Sequence, residues 1–209
     1  YLTMALGAGA ATPWQMAGAI SVFANGGYRV QPYLLDRIVD QAGNVLAKAN
    51  PMTAGDEEHR AIDARNAYII DSMLRDVVKR GTATLAAKEL KRGDLAGKTG
   101  TTNDAYDAWF VGYGAGIAGV AWVGYDSPRS LGERETGGGL ALPVWISYMR
   151  TALDKKPETP RPMPNGIVTI NDEIYMSEIQ PGQGIGSLGV TEDGLATGEK
   201  QESIRDQIF

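Results

Sequence analysis

The chain has 209 residues, 43% of them hydrophobic, and a formal net charge of −5. That length suffices for one domain with a sizeable core and an appendage, and the acidic balance argues against nucleic acid as a partner. The lack of cysteine excludes a disulfide framework and a thiolate metal site, and no stretch approaches the roughly 18 apolar residues of a membrane span. An extracytoplasmic bacterial protein fits this composition. Tyr1-Leu2-Thr3-Met4-Ala5 lacks the basic start and cleavage site of a signal peptide and enters mid-pattern, so the sequence is expected to be a piece of a longer protein.

Residues 1–11, rich in glycine and alanine, read as a close-packed turn or loop. Thr12-Pro13-Trp14-Gln15 is a strong helix start: Thr12 can cap, Pro13 suits the first helical position and Gln15 completes a capping box. Met16, Ala19, Ile20, Phe23 and Ala24 follow at helical spacing, and Asn25-Gly26-Gly27 stops the helix. Residues 33–40 and 44–48 read as a β-hairpin around Gln41-Ala42-Gly43. Residues 50–62, with Asp56-Glu57-Glu58, read as a solvated loop in which His59 is a surface residue. Asp63 caps a second helix, with Ala67, Ile70, Met73, Leu74, Val77 and Val78 as its apolar face, Lys79 and Arg80 at its carboxyl end, and Gly81 closing it.

Residues 82–90 are a short helix or a loop. The period then changes. Residues 95–101, 108–113 and 117–125 read as three strands, with Gly114-Ala115-Gly116 a tight hairpin between the last two. Such short connections favour consecutive antiparallel strands, and apolar residues on both faces imply that both are covered. Residues 126–139 are a loop ending in Glu135-Thr136-Gly137-Gly138-Gly139. Residues 142–153 are a last helix whose apolar face is Leu142, Trp145, Ile146, Met149, Ala152 and Leu153. Trp109, Phe110, Trp122 and Trp145 are assigned to the core. Prolines 157, 160, 162 and 164 make a stiff linker, 166–174 can add a strand, and the chain from Gln180 is expected to be disordered.

The chemistry concentrates in Lys98-Thr99-Gly100-Thr101-Thr102. A lysine can hold an anion or join in proton transfer, threonine hydroxyls can donate to a carboxylate, and the glycine admits another backbone or a ligand. A carboxylate-ended substrate bound along a strand edge, beside a serine nucleophile, fits this set. Lys-Thr-Gly is also one of the motifs of penicillin-binding proteins and β-lactamases. Three residues are too few to identify a family, so the surroundings have to carry the assignment.

Those surroundings are Ala8-Gly9-Ala10-Ala11-Thr12-Pro13, residues 22–28, Arg80-Gly81-Thr82-Ala83, residues 94–104, residues 107–113, residues 123–126, and Glu135-Thr136-Gly137-Gly138 before residues 141–145. Together, over residues 1–153, they resemble the carboxyl-terminal part of the transpeptidase domain of class A penicillin-binding proteins, near the 1A type of Gram-negative bacteria. Residues 164–170 resemble that type more loosely. The resemblance implies an α/β fold, an antiparallel sheet flanked by helices in the penicillin-binding transpeptidase and serine β-lactamase manner. It is incomplete here, because helices carrying missing motifs would cover one side and leave apolar surface exposed in the isolated chain. The implied division is 1–154 transpeptidase part, 155–165 linker and 166–209 tail.

It further implies an acyl-transfer enzyme: an acyl-enzyme forms between a serine and the penultimate D-alanine of a peptidoglycan stem peptide, then passes to an amine of a neighbouring stem. β-Lactams acylate the same serine. Of the motifs Ser-x-x-Lys, Ser-x-Asn and Lys-Thr-Gly, only the last maps here; none of the eight serines is followed by the required lysine or asparagine. The nucleophile is expected upstream, and this chain alone is expected to be inactive.

By the same resemblance Lys98 stabilises charge beside the missing motifs, and the Thr99 and Thr101 hydroxyls hold the substrate carboxylate. The Thr101 N–H is one oxyanion donor, of a kind contributing on the order of 3–4 kcal/mol. Gly100 stays small for the substrate backbone, and Thr102 either continues the cleft wall or starts the turn, the turn being favoured. No cofactor or metal is implied, and Asp104, Asp107 and Asp126 are read as turn and cap residues. Expected partners are D-Ala-D-Ala stem peptides, β-lactams, the upstream part of the same protein and cell-wall synthesis regulators. The expected place is the periplasmic face of the inner membrane, in a parent that is also a glycosyltransferase. The rival readings are a fragment of a D,D-carboxypeptidase or β-lactamase, with water as acceptor, and a non-catalytic module on the same scaffold.

Overall fold

The computed structural model describes residue 7 and residues 9–181, so the expectations for the first residues and for most of the tail lie outside the described residues. The chain divides into two compact units, Tyr1–Pro162 and Met163–Phe209.

In the first unit, helix α1 (Pro13–Ala24) starts as its sequence dictates. The Gln15 N–H donates to Thr12 Oγ1 at 3.2 Å and the Thr12 N–H returns to Gln15 Oε1 at 2.9 Å, so two of the orphan donors of the first turn are satisfied. Strands β1 (Arg37–Val39) and β2 (Val45–Lys48) form the expected antiparallel hairpin. The acidic loop is more ordered than its composition suggests. Asp56 caps a single 3₁₀ turn, Glu57 is bound by both Arg60 and Tyr28, and His59 is half-buried against Asp56. Helix α2 (Ala64–Arg80) is capped by Asp63 and ends at Gly81, and residues 82–90 resolve as a short turn into helix α3 (Thr84–Leu90).

Strands β3 (Ala96–Thr101), β4 (Asp107–Gly114) and β5 (Ile117–Gly124) make one antiparallel sheet in that order. Gly114 pairs with Ile117, leaving Ala115 and Gly116 as a two-residue turn with φ of 46° and 75°; both being positive, the turn matches the twist of the strands. Both faces of the sheet are covered. On one, Ala108, Phe110 and Ala121 pack with Leu142, Trp145, Ile146 and Met149 of helix α4 (Leu142–Ala152), joined by Val78 and Ala86 from α2 and α3. Phe110 meets Trp145 edge-on at 4.9 Å, and the indole N–H donates to Gly119 O at 3.1 Å. On the other face, Ala96, Val111 and Tyr113 pack with Ile20, Met16 and Phe23 of α1 and Leu74 of α2.

Two expectations about burial are corrected. Met73 is 59% exposed, because the buried stripe of α2 runs through Ala67, Asp71 and Val78, with a carboxylate at its centre. Trp122 is 39% exposed; it lies tilted against half-buried Trp109, its ring N–H donating to Asp107 at 2.8 Å. Leu34, Leu35 and Leu46 around the β1–β2 hairpin and Val144 and Tyr148 on α4 are also exposed.

Two buried acids fasten the end of this unit. Asp71 accepts from Tyr113 Oη at 2.7 Å and Arg75 Nε at 2.8 Å, with Arg161 Nη1 at 3.5 Å. Arg161 also donates to the Phe23 and Ala67 carbonyls. Asp94 accepts from the Arg92 guanidinium, the Ala115 N–H and the Thr159 N–H, while Arg92 reaches the carbonyls of Lys156 and Pro157. Burial, with the Asp71 charge beside it, pushes the Tyr113 phenol above its ordinary range, so it remains a donor.

Among the described residues the second unit holds one hairpin, β6 (Ile167–Ile170) and β7 (Glu173–Met176). The single strand expected over 166–174 is two strands, because Asn171 and Asp172 take φ of 51° and 64° and turn the chain; short polar side chains tolerate this region best after glycine.

Candidate active site

Among the described residues β3 is an edge strand, paired only with β4. Its polar residues sit where the pleat and the ladder place them. Thr99 lies opposite Phe110, so the side chains of Thr99 and Thr101 stand on the face that α4 covers. Lys98 lies opposite Val111, so its side chain and the Gly100 position stand on the α1 face. The Thr102 N–H donates to Asp107 O at 3.1 Å, toward β4. Alternation then turns the N–H and C=O of Thr99 and Thr101 to the free edge. Lys98, exposed, curls to that edge and donates from Nζ to Thr99 O at 2.9 Å.

The two threonine hydroxyls are engaged from outside the strand. Thr101 Oγ1 accepts from the Gly137 N–H at 3.0 Å. One lone pair is thereby filled and the O–H proton is left for another acceptor. Thr99 Oγ1 lies 2.9 Å from Thr82 Oγ1, either being able to donate. The Gly137 bond depends on close approach. Gly137 begins a single π-helical turn (Gly137–Ala141) leading into α4, and a Cβ there would run into the carbonyl oxygens of Gly100 and Trp109. Only glycine brings its amide this near the strand. At Gly100 a Cβ would meet Trp109 Cβ at 3.2 Å.

Thr102 turns inward to the turn: its hydroxyl accepts the Asp107 N–H at 2.8 Å. The structure therefore brings Thr99 and Thr101 together on one face of a free edge, sets Lys98 and Gly100 on the other, and occupies Thr102 locally. Two contributors were not singled out for the site from sequence. Thr82 lies inside the Arg80–Ala83 stretch and Gly137 at the end of the loop over 126–139; a hydroxyl in a helix–helix turn carries no local sign that it meets a strand 17 residues on. Among the described residues no cluster of His, Asp and Glu could hold a metal ion, and no helix is long and apolar enough to cross a membrane.

The family model of the penicillin binding protein transpeptidase domain matches residues 1–125. A penicillin-binding protein 1A of Neisseria lactamica is 50% identical over 177 residues, covering 85% of this chain and 22% of the relative. One from Neisseria meningitidis is 47% identical over 219 residues, 99% of this chain and 27% of the relative. The chain thus spans about a quarter of the length of these curated relatives. Among solved structures, penicillin-binding protein 1A from Haemophilus influenzae superposes with a TM-score of 0.76 at 34% identity, over 88% of this chain and 32% of that one.

Proposed function

The chain belongs to the penicillin-binding protein transpeptidase domain family, and on that premise we propose that it supplies the carboxylate-binding and oxyanion edge of a peptidoglycan D,D-transpeptidase. The observation that carries this reading is the pair of hydroxyls, Thr99 and Thr101, on one face of an unpaired strand edge, with the Thr101 hydroxyl proton left for an anion by the Gly137 N–H.

A stem peptide ending in D-Ala-D-Ala lies along β3, its terminal carboxylate taking hydrogen bonds from Thr99 and Thr101. A serine from the upstream part of the protein attacks the penultimate D-alanine carbonyl. The carbonyl oxygen becomes an oxyanion that accepts from the Thr101 N–H at the free edge. The C–N bond breaks, the leaving amine takes up a proton and the terminal D-alanine departs, leaving a serine ester. An amine of a neighbouring stem then displaces the serine, forming the cross-link and losing a proton. Lys98 contributes a fixed positive charge on the side of β3 where the serine motifs would lie. β-Lactams, which carry a carboxylate beside a reactive amide, occupy the same edge. The reaction belongs to the periplasmic face of the inner membrane, where stem peptides are found.

The test is intact mass after incubation with benzylpenicillin. The 209-residue chain is expected to remain unmodified, and a longer protein carrying the upstream residues is expected to gain one penicilloyl group. A stoichiometric adduct on the short chain would place a nucleophile within it and overturn this division of the site.

A further inference from the structure

The turn between α2 and α3 reaches the candidate site through one side chain, Thr82. Its backbone is pinned on both sides. The N–H groups of Gly81 and Ala83 both donate to Val77 O, at 3.2 and 3.1 Å, and the Ala83 side chain is wholly buried. Thr82 itself is exposed, with its hydroxyl 2.9 Å from that of Thr99. Gly138 closes the third side: a Cβ there would lie 3.4 Å from Thr82 O and 3.9 Å from Thr99 Cγ2.

We propose that Thr82 is a positioning residue for anion recognition, donating to Thr99 so that the Thr99 proton points at the bound carboxylate; this rests on the reading of Thr99 and Thr101 as its ligands. The two threonines of the strand are then equivalent in kind. Each has one lone pair filled by a donor from another segment, Thr101 by the Gly137 N–H and Thr99 by the Thr82 hydroxyl. Each is left with one proton directed outward. In the free protein the Thr82–Thr99 pair can donate in either sense. An anion at the edge selects the sense in which Thr82 donates to Thr99 and Thr99 to the anion, and a chain of hydroxyls in that sense is polarised and strengthened. A valine at position 82 keeps the shape, removes the donor and leaves Thr99 free to turn away.

The experiment uses the longer protein carrying the nucleophile segment, with stopped-flow acylation by benzylpenicillin resolved into non-covalent affinity and acylation rate. Thr82→Val is expected to weaken the non-covalent affinity about fivefold to tenfold, with the acylation rate constant changed less than about twofold. Thr82→Ser is expected to restore affinity, and benzylpenicillin methyl ester, which lacks the anion, is expected to lose the sensitivity to Thr82→Val. An unchanged melting midpoint in Thr82→Val separates this from general loosening of the turn. If Thr82→Val matches the parent while Thr101→Val weakens affinity, the role of Thr82 is overturned and the carboxylate reading stands. If neither variant changes affinity, or the parent protein is not acylated, both are overturned. An equal effect on the ester would also overturn the role of Thr82, because the hydroxyl would not be serving an anion.

Discussion

Replacing Asp71 by alanine removes a carboxylate on which a tyrosine and two arginines converge. Its side chain is 5% exposed, and those of Arg75 and Arg161 are 19% and 16% exposed. Deleting the acid therefore leaves two largely enclosed guanidinium groups without their counter-charge. The Tyr113 hydroxyl, 2.7 Å from Asp71 Oδ1, also loses its acceptor. Arg161 keeps the Phe23 and Ala67 carbonyls and Arg75 keeps Gly93 O, so neither cation is stranded entirely. Breaking a buried pair by removing one partner costs about 3–5 kcal/mol, a large part of the roughly 5–15 kcal/mol that holds a domain folded. Tyr113→Phe, which removes one bond to a charged group and leaves both arginines paired, is expected to cost about 1.5 kcal/mol. Urea unfolding followed by tryptophan fluorescence measures both. The double variant should cost less than the sum of the singles by about 1 kcal/mol or more, because one hydrogen bond is shared. An Asp71→Ala cost below about 1 kcal/mol, or strict additivity with Tyr113→Phe, would refute this account of the cluster.

Gly137→Ala is expected to destabilise the fold by about 2 kcal/mol and to lower hydrogen-exchange protection in β3 and β4, since the new methyl meets strand carbonyls that have nowhere to move. Gly138→Ala, whose nearest neighbour would be at 3.4 Å, should stay within about 0.5 kcal/mol of the parent; equal costs for the two would sink the close-approach reading. For Asp94, burial works to raise the carboxyl pKa. The bonds from Arg92 and the Thr159 N–H outweigh it, so the group lies below the 3.8 of an ordinary aspartate. A carboxyl depressed in the fold contributes stability that is whole above the unfolded-state value and is lost as pH falls through the folded-state one. The melting temperature should therefore decline from about pH 4 downward, and less steeply in Arg92→Ala; parallel acid slopes in the two proteins would argue against Asp94 as the source.

Much of this architecture is written locally. Thr12 and Gln15 cap α1 by side chains three residues apart, and the strands follow from continuous apolar runs joined by turns too short for anything but antiparallel pairing. The motif was legible because its chemistry is dense. What the pleat does with it was not spelled out: that Thr99 and Thr101 share a face and Lys98 takes the other follows from register with β4. Asp71 was invisible as a core residue because its partners Tyr113 and Arg161 lie 42 and 90 positions away, and a charge in an apolar stripe reads as solvent-facing until they are known. Met73 was misassigned for the same reason. Trp122 failed differently: size and aromaticity favour burial, but at this end of the sheet its ring rests on Trp109 and a carboxylate rather than under a helix. The prolines after residue 156 announce stiffness, and nothing near them says what the stretch is bound to.

The bond from Arg161 to the Phe23 carbonyl spans 138 positions, and this has a consequence for the order in which the molecule can be made. During synthesis α1 and α2 emerge before β4 and residue 161 and can form on their own caps. The carboxylate at the centre of α2 acquires its tyrosine only when β4 has been made and its second arginine only when residue 161 has. Contacts that distant in sequence are closed late and slowly, and domains complete as units during translation. The first unit therefore lacks its last fastening until Arg161 arrives, and until then the acid of α2 is only partly paired and the Phe23 carbonyl of α1 lacks its guanidinium donor.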